Sequence, residues 1–313
     1  MRPVFKLLLL AIAAAYTLPS LRAQDLSPRA YIITPIHWNA VTLAYSFSSG
    51  DVSTNNAIPV TDATGTLHVT VISYFHSLSF FGRSANILAS LPYGVVHYQG
   101  IFEDNENKVY RSGLLDSVFR FSLNLKGGPV MSVTEYQSWK QRTILGVSLR
   151  VVAPTGQYDG TKLINNGANR WAFKPEFGYS RRLGHWVLDG YAGAWFFTTN
   201  PEYFSHNAFF LGTQTQSQNP IGSFEGHLSY DVKERLWFSL DSNFWYGGRI
   251  SRNGVENTNT LQISSRIGAT ASIPISRHQS LKFTYSDGDY VRFGGNFENV
   301  SVAWQFSWVG RPN

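Results

Sequence analysis

The chain has 313 residues, a formal net charge of +6 and no cysteine, which excludes disulfides and a lipid-modified N-terminal cysteine. Charged residues make up only 15% of the chain and aromatic residues another 15%, whereas soluble domains carry ~25% charged residues. No long basic run is present, so nothing indicates nucleic-acid binding.

The N-terminus is predicted to be a secretory signal peptide. Arg2 and Lys6 flank the start of an apolar run at 7–18, and Ala23 offers a small residue for cleavage before Gln24. The run is shorter than the ~18–20 residues of a membrane-spanning helix. We therefore predict a cleaved signal at 1–23 and one mature domain at 24–313. The mature part has no apolar run long enough for a helical inner-membrane protein.

Apolar and polar residues alternate with a period of two along most of the mature chain, which is typical of strands. In the last segment Val300, Val302 and Trp304 share one face, and Ser301 and Ala303 share the other. Twelve such segments are predicted, at 38–47, 66–79, 84–98, 113–125, 142–153, 170–182, 185–198, 221–232, 235–247, 260–273, 279–290 and 297–308. They predict an all-β fold, a closed antiparallel transmembrane up-and-down β-barrel of about 12 strands, because only a closed sheet pairs its whole backbone within lipid.

The connections between these segments alternate in length. Short ones lie at 80–83, 183–184, 233–234 and 276–278, and longer ones at 48–65, 99–112, 154–169, 199–220 and 248–259. Short periplasmic turns and long external loops are typical of bacterial outer-membrane barrels, which predicts export to that membrane. The 126–141 connection is long for a periplasmic turn, and residues 134–139 fit a helical turn.

Ionisable residues fall on the polar faces of the predicted strands. An Arg or Lys facing lipid at the midplane costs ~2–4 kcal/mol, so these side chains are predicted to point into the lumen. The predicted lumen-lining set is Asp116, Arg120, Arg150, Lys174, Glu176, Arg182, Asp189, Glu225, His227, Asp231, Asp241, Arg266 and Lys282. Two interpretations stay open: a filling of paired charges, or the lining of a solute path.

Tryptophans near strand ends are predicted to form interfacial girdles. The candidates are Trp38, Trp171, Trp186, Trp195, Trp237, Trp245 and Trp308. Binding of an aromatic solute is the alternative for Trp195 and Trp245, because they share the faces of Asp189 and Asp241.

Catalytic motifs are not evident, so no enzyme, cofactor or metal is predicted. The eight histidines lack metal-ligand spacing, and neither a nucleophile elbow nor a phosphate-binding glycine loop occurs. His227 and Ser229 lie two apart on one strand face, with Cβ atoms ~6.6–7 Å apart. They are the candidates for the alternative of a lipid-active outer-membrane enzyme.

Three segments resemble a known family: SFFGRSANILASLPY at 79–93, VVAPTGQYDGTKLINNGANRWAFKPE at 151–176 and LDGYAGAWFF at 188–197. They are similar to the outer-membrane proteins named for the putative MetA-pathway of phenol degradation. The resemblance implies an outer-membrane barrel associated with aromatic or hydrophobic solutes. The residues that carry the motif are Pro154, Gly156, Tyr158, Asp159, Asn169, Arg170, Trp171, Lys174, Pro175 and Glu176. Pro175 has no N–H for a strand ladder, so we expect a bulge there.

The function expected from these features is a porin-like channel or transporter for passive passage of a small, aromatic or hydrophobic solute. The expected partners are outer-membrane lipid, the small-molecule solute and the barrel-assembly machinery. The alternative is a closed structural or adhesive barrel that binds partners through its long external loops.

Overall fold

The computed structural model describes residues 26–53, 61–102, 105–206 and 211–310, so the predicted signal peptide and cleavage site lie outside the described residues. The strands are β1 Trp38–Ser53, β2 Thr61–Phe80, β3 Arg83–Phe102, β4 Asn105–Leu114, β5 Ser117–Lys126, β6 Thr143–Ala153, β7 Ala172–Leu183, β8 Trp186–Phe197, β9 Asn200–His206, β10 Leu211–Gln218, β11 Ile221–Lys233, β12 Leu236–Gly247, β13 Ile250–Arg252, β14 Val255–Asn257, β15 Gln262–Pro274, β16 Gln279–Val291 and β17 Gly294–Val309. One short helix, α1, spans Val133–Ser138, and a 3-10 turn spans Thr258–Thr260. No helix in these ranges is long and apolar enough to cross a membrane.

The main sheet closes on itself as an antiparallel barrel. β1 pairs with β17 on one side and with β2 on the other, and β2 continues the ring through β3. β4 and β5 pair with successive parts of β3 and together form a single barrel strand, interrupted at Leu115 and Asp116. The described ranges thus form a closed barrel of twelve strands, and the predicted fold class is confirmed.

The outer wall is apolar and the charges lie inside. Leu240 and Ile267 are 68% and 58% exposed on the outer face, as lipid contact requires. Lys174, Arg266 and Arg120 are 2%, 3% and 8% exposed, on the opposite face of their strands. Because burying an unpaired charge is costly, these side chains must find their partners within the lumen.

The long loops predicted at 48–65 and 99–112 are wrong, because strands occupy the described residues of both ranges. β1 ends only at Ser53, and β2 already begins at Thr61. In the same way β3 ends at Phe102, and β4 begins at Asn105. Beyond the membrane a hairpin keeps its ladder hydrogen bonds without needing an apolar outer face, so the alternation fades although the strand persists. The 199–220 and 248–259 connections contain β9, β10, β13 and β14, which form a separate four-stranded sheet.

The helical turn expected at 134–139 is confirmed by α1. Ser132 is its N-cap: its hydroxyl accepts from the Glu135 N–H at 3.3 Å, and the Glu135 carboxylate accepts from the Ser132 N–H at 2.7 Å. This reciprocal capping box satisfies two backbone donors that a helix start leaves free.

The bulge expected at Pro175 is wrong. Leu149 pairs with Pro175 in an unbroken register between β6 and β7. On the β8 side the ladder skips Lys174 and Pro175 and resumes at Glu176 without a shift. The missing N–H therefore interrupts the ladder locally and inserts no extra residue.

Candidate functional site in the barrel lumen

An N-terminal segment, residues 26–37, precedes β1 and packs inside the barrel. The Ala30 N–H donates to the Tyr191 hydroxyl at 3.0 Å, and the Arg29 N–H donates to Asp189 Oδ2 at 3.1 Å. The Arg29 guanidinium forms an ion pair with Asp231, with Nη1 and Oδ1 2.6 Å apart. The segment thus occupies part of the lumen from the end that carries the termini and the short turns.

Tyr31 is the anchor of this segment and is 1% exposed. Its hydroxyl lies 2.9 Å from the Ser148 hydroxyl and donates to Glu176 Oε1 at 3.0 Å. Its ring lies against Gly146 and Gly178, where an added Cβ would come within 2.5 Å and 2.1 Å of ring atoms. The two inward glycines therefore make the space that the ring fills. Sequence reasoning missed this site, although inward glycines on adjacent strands were a signal for it.

The charged wall, defined as the inward side chains of β5–β8, β11 and β12, contains a chain of ion pairs. Lys174 Nζ lies 2.7 Å from Glu176 Oε2 and 2.7 Å from Glu225 Oε1. Arg120 Nη2 lies 3.4 Å from Glu176 Oε1, and the Arg120 guanidinium stacks 4.9 Å from the centroid of the Tyr31 ring. The network thus ties neighbouring strands to the N-terminal segment.

His227 extends this network but does not form a catalytic triad. Its Nδ1 lies 2.8 Å from Asp241 Oδ1, and its Nε2 lies 3.7 Å from Glu225 Oε2. Within the described ranges the Ser229 hydroxyl has no hydrogen-bond partner, so the nucleophile–base bond that a serine hydrolase needs is not formed. In the same part of the chain no group of three or more His, Asp or Glu residues could hold a metal ion.

The predicted lumen-lining residues all face inward but differ in exposure. Nine are buried: Asp116, Arg120, Lys174, Glu176, Asp189, Glu225, His227, Asp241 and Arg266. Arg150, Arg182 and Asp231 are partly exposed, and Arg182 forms an ion pair with Asp231. Lys282 is exposed, and it differs from the others in this respect.

Asp116 holds an external loop against the barrel. Its two carboxylate oxygens accept from the Gly156 and Ala168 N–H groups, each at 3.0 Å. Gly156 approaches so closely that an added Cβ would lie 2.7 Å from the Gly167 Cα atom. The family motif at 154–171 is therefore a loop whose two ends are joined by one buried carboxylate, and Pro154 stands where the loop leaves β6.

The remaining motif residues tie this loop to its neighbours. The Tyr158 hydroxyl donates to the Glu202 carbonyl at 2.9 Å and accepts from the Asn200 amide at 2.9 Å. The Asn169 amide donates to Asn200 Oδ1 at 3.0 Å, and Arg170 bonds Gln218. Trp171 is exposed on the outer face, as a girdle residue would be. Lys162 and Thr161 bond the Asp159 carboxylate and hold its pKa well below the usual range.

Two apolar clusters lie at the loop end of the lumen. The first contains Val152, Ala172, Trp195, Ile221 and Trp245, and the second contains Leu67, Val96 and Phe297. Trp195 and Trp245 are 4% and 5% exposed, so their prediction as girdle residues is wrong. Trp237 also faces inward, with the Arg29 guanidinium 4.4 Å from its ring centroid. Strand alternation places all three on the inner face, and that geometry outweighs the preference of tryptophan for the membrane interface.

The small-residue wall, defined as a strip of eight inward side chains on β16, β17, β1 and β2, differs from the charged wall. It includes Thr42, Ala44, Ser46, Val71, Ser73, Thr284, Ser301 and Ala303, all but Ala303 partly exposed. The register places Ala44 beside Ala303 and Val71 beside Ala44, so these positions form a continuous strip. The N-terminal segment fills the opposite half and leaves this strip accessible.

Comparison with known proteins identifies related folds. The outer membrane channel COG4313 of Pseudomonas putida F1 aligns with a TM-score of 0.75 and 18% identity over 91% of this chain and 100% of that chain. The translocator domain of the autotransporter NalP from Neisseria meningitidis aligns with a TM-score of 0.51 and 9% identity over 92% and 93%. No curated protein matched the sequence.

A family profile extends this result to the sequence. The profile described as "Putative MetA-pathway of phenol degradation" matches residues 46–304, which include every strand of the barrel in whole or in part. The chain belongs to this family.

Proposed function

We propose that the protein is a passive outer-membrane channel for a small solute with an aromatic or apolar body. The observation that carries this proposal is the small-residue wall. It stays accessible inside a closed barrel whose other half is filled by the N-terminal segment and by paired charges. A purely structural barrel would have no need of such a strip.

The apolar clusters support the choice of solute. Trp195 and Trp245 face the lumen at the loop end of the charged wall, and Lys174 Nζ lies 5.9 Å from the Trp195 ring centroid. An aromatic solute entering from outside would first pass this apolar cluster. It would then pass the small side chains of the strip.

The outer-membrane location of this proposal is supported by the apolar outer wall, by the family and by the fold shared with the Pseudomonas putida channel. The buried ion pairs of the charged wall act as a filling of one half of the lumen. The small-residue wall in the other half supplies the path for the solute. The two interpretations of the charged residues thus apply to different halves of one lumen.

Purified protein in planar bilayers and in liposomes tests the proposal. We expect discrete conductance and flux of a small aromatic probe such as phenol. Ala44→Trp should reduce both severalfold, because the indole would enter the strip. Leu43→Trp is the matched control, because Leu43 is exposed on the outer face and should leave both unchanged. The absence of both conductance and flux in the unaltered protein would refute the proposal.

A further inference from the structure

The selectivity of a channel depends on which charges of its lumen lack a partner. On the charged wall the carboxylates have partners: Glu176 and Glu225 share Lys174, and Asp231 binds Arg29 and Arg182. Lys174, Arg29 and Arg182 are thereby held in ion pairs on that wall, so their charges are largely compensated.

Two cations lie on the other side of the lumen, on β15 and β16. Arg266 Nη1 donates to the Ser286 hydroxyl at 3.0 Å and to the Phe297 carbonyl at 2.9 Å. Both acceptors are neutral, and although the charge of Asp287 reaches Arg266, Arg266 forms no salt bridge among the described residues. Arg266 lies next to Phe297 and hence beside the second apolar cluster.

Lys282 is the second cation, and it borders the small-residue wall. It pairs across the sheet with Ala303 and Ser272, and Ala303 in turn pairs with Ala44. Its neighbours Phe283 and Tyr285 are exposed on the outer face, so Lys282 points inward. The exposed part of the Lys282 side chain therefore faces the lumen.

Among the described residues Lys282 forms no salt bridge. The charge of Asp241 reaches it, but the Asp241 carboxylate already accepts from Ser239 and Thr270 and is bound to His227. A narrow lumen with low-dielectric walls concentrates the field of an uncompensated charge on whatever passes.

We propose that Lys282, assisted by Arg266, makes the path along the small-residue wall selective for anionic solutes, with a small carboxylate as the chemical class. This inference rests on the proposed channel function and specifies its solute further. A carboxylate on an aromatic or apolar body would pass the apolar clusters first. It would then meet Lys282 near the end of the strip where the short turns lie.

The reversal potential across a planar bilayer under a KCl gradient tests the inference, with chloride and potassium as the probes. We expect chloride to be preferred in the unaltered protein. A unit charge within a few ångströms of a passing ion is worth about RT in water, with opposite sign for chloride and potassium, so Lys282→Gln should lower the chloride-to-potassium permeability ratio about sevenfold and Lys282→Glu about fiftyfold. Lys282→Arg should keep the ratio. Lys108→Glu is the matched control, since Lys108 is an exposed lysine of β4 paired with Glu106.

Chemical modification removes folding as an explanation, because the chain has no cysteine of its own. Lys282→Cys, inserted in the bilayer, should regain chloride preference with a cationic methanethiosulfonate reagent and favour potassium with an anionic one. Unchanged selectivity in the Gln, Glu and modified Cys variants of a conducting protein would overturn the inference alone. A protein that passes neither ions nor solute would overturn the proposed function and the inference with it.

Discussion

The two halves of the lumen follow the same inward alternation but solve different problems. On the charged wall, large ionisable side chains meet the N-terminal segment, and Lys174, Glu176, Glu225 and His227 are all below 10% exposed. On the small-residue wall, Thr42, Ala44 and Ser301 face no such filling and stay partly exposed. One half thus stabilises the barrel and narrows it, and the other half remains available for transport.

The comparison predicts that the stability of the barrel depends strongly on the charged wall, so that removing one member of a buried ion pair should lower it. Lys174→Met should destabilise the barrel by about 3–5 kcal/mol, because it leaves two buried carboxylates without their shared cation. Urea unfolding in micelles, followed by tryptophan fluorescence, measures the change.

Lys162→Met is the control for this prediction. The Lys162 ion pair with Asp159 is largely exposed, and solvent screening leaves such pairs little effect on stability. Equal destabilisation by the two variants would show that the lumen charges are not a buried network.

The filling of the charged half can be removed directly. Tyr31→Ala removes the side chain seated against Gly146 and Gly178 together with its bond to Glu176. The N-terminal segment should then leave its place more often, and the single-channel conductance should rise severalfold.

Gly178→Ala sharpens this prediction, because an added Cβ would lie 2.1 Å from the Tyr31 ring. It should increase conductance in the same direction as Tyr31→Ala, although it alters β7 and not the segment. If conductance stayed the same in both variants, the segment would not limit the path.

Loop anchoring by Asp116 should have an intermediate effect. Asp116→Ala removes two hydrogen bonds to a charged acceptor, each worth about 1.5–3 kcal/mol, and should release the 154–171 loop. Trypsin cleavage at Lys162 should accelerate. The closed barrel should remain folded, which the shift of its gel mobility on heating would show. An unchanged cleavage rate would mean that other contacts hold the loop.

The smallest effect is expected on the small-residue wall. Ser301→Ala should change the free energy of unfolding by less than about 0.5 kcal/mol, as is usual for substitutions outside a packed or bonded site. The same urea titration measures it, and a loss comparable to that of Lys174→Met would remove the distinction between the two walls.

The sequence predicted the barrel well because lipid imposes a strict rule on each spanning strand. Alternation located the strands within a few residues and placed Arg120, Lys174 and Arg266 inside. It could not predict the extended hairpins above the membrane, where no lipid selects the outer face. Alternation also put Trp195 and Trp245 on the faces of Asp189 and Asp241, but it could not show that they pack together in one cluster, because this depends on the register between strands.

The site was harder to predict than the fold for a related reason. The N-terminal segment before β1 has no periodicity of its own, and Tyr31 is defined by glycines more than a hundred residues away in the chain. Likewise, Asp116 was predicted on the polar face of its strand, but its hydrogen bonds to Gly156 and Ala168 depend on how the loop folds back. Long-range contacts of this kind leave no local pattern.

The proposed path depends on the orientation of β1. This strand presents its even-numbered residues 42, 44 and 46 to an accessible lumen and its odd-numbered residues 41, 43 and 45 to lipid. Single cysteines introduced at each of these positions, in a chain that has none, can be treated in bilayers with a membrane-impermeant thiol reagent during current recording. We predict that Thr42→Cys, Ala44→Cys and Ser46→Cys react and lose current, whereas Val41→Cys, Leu43→Cys and Tyr45→Cys do not. Reaction at the odd positions, or at neither set, would contradict the account.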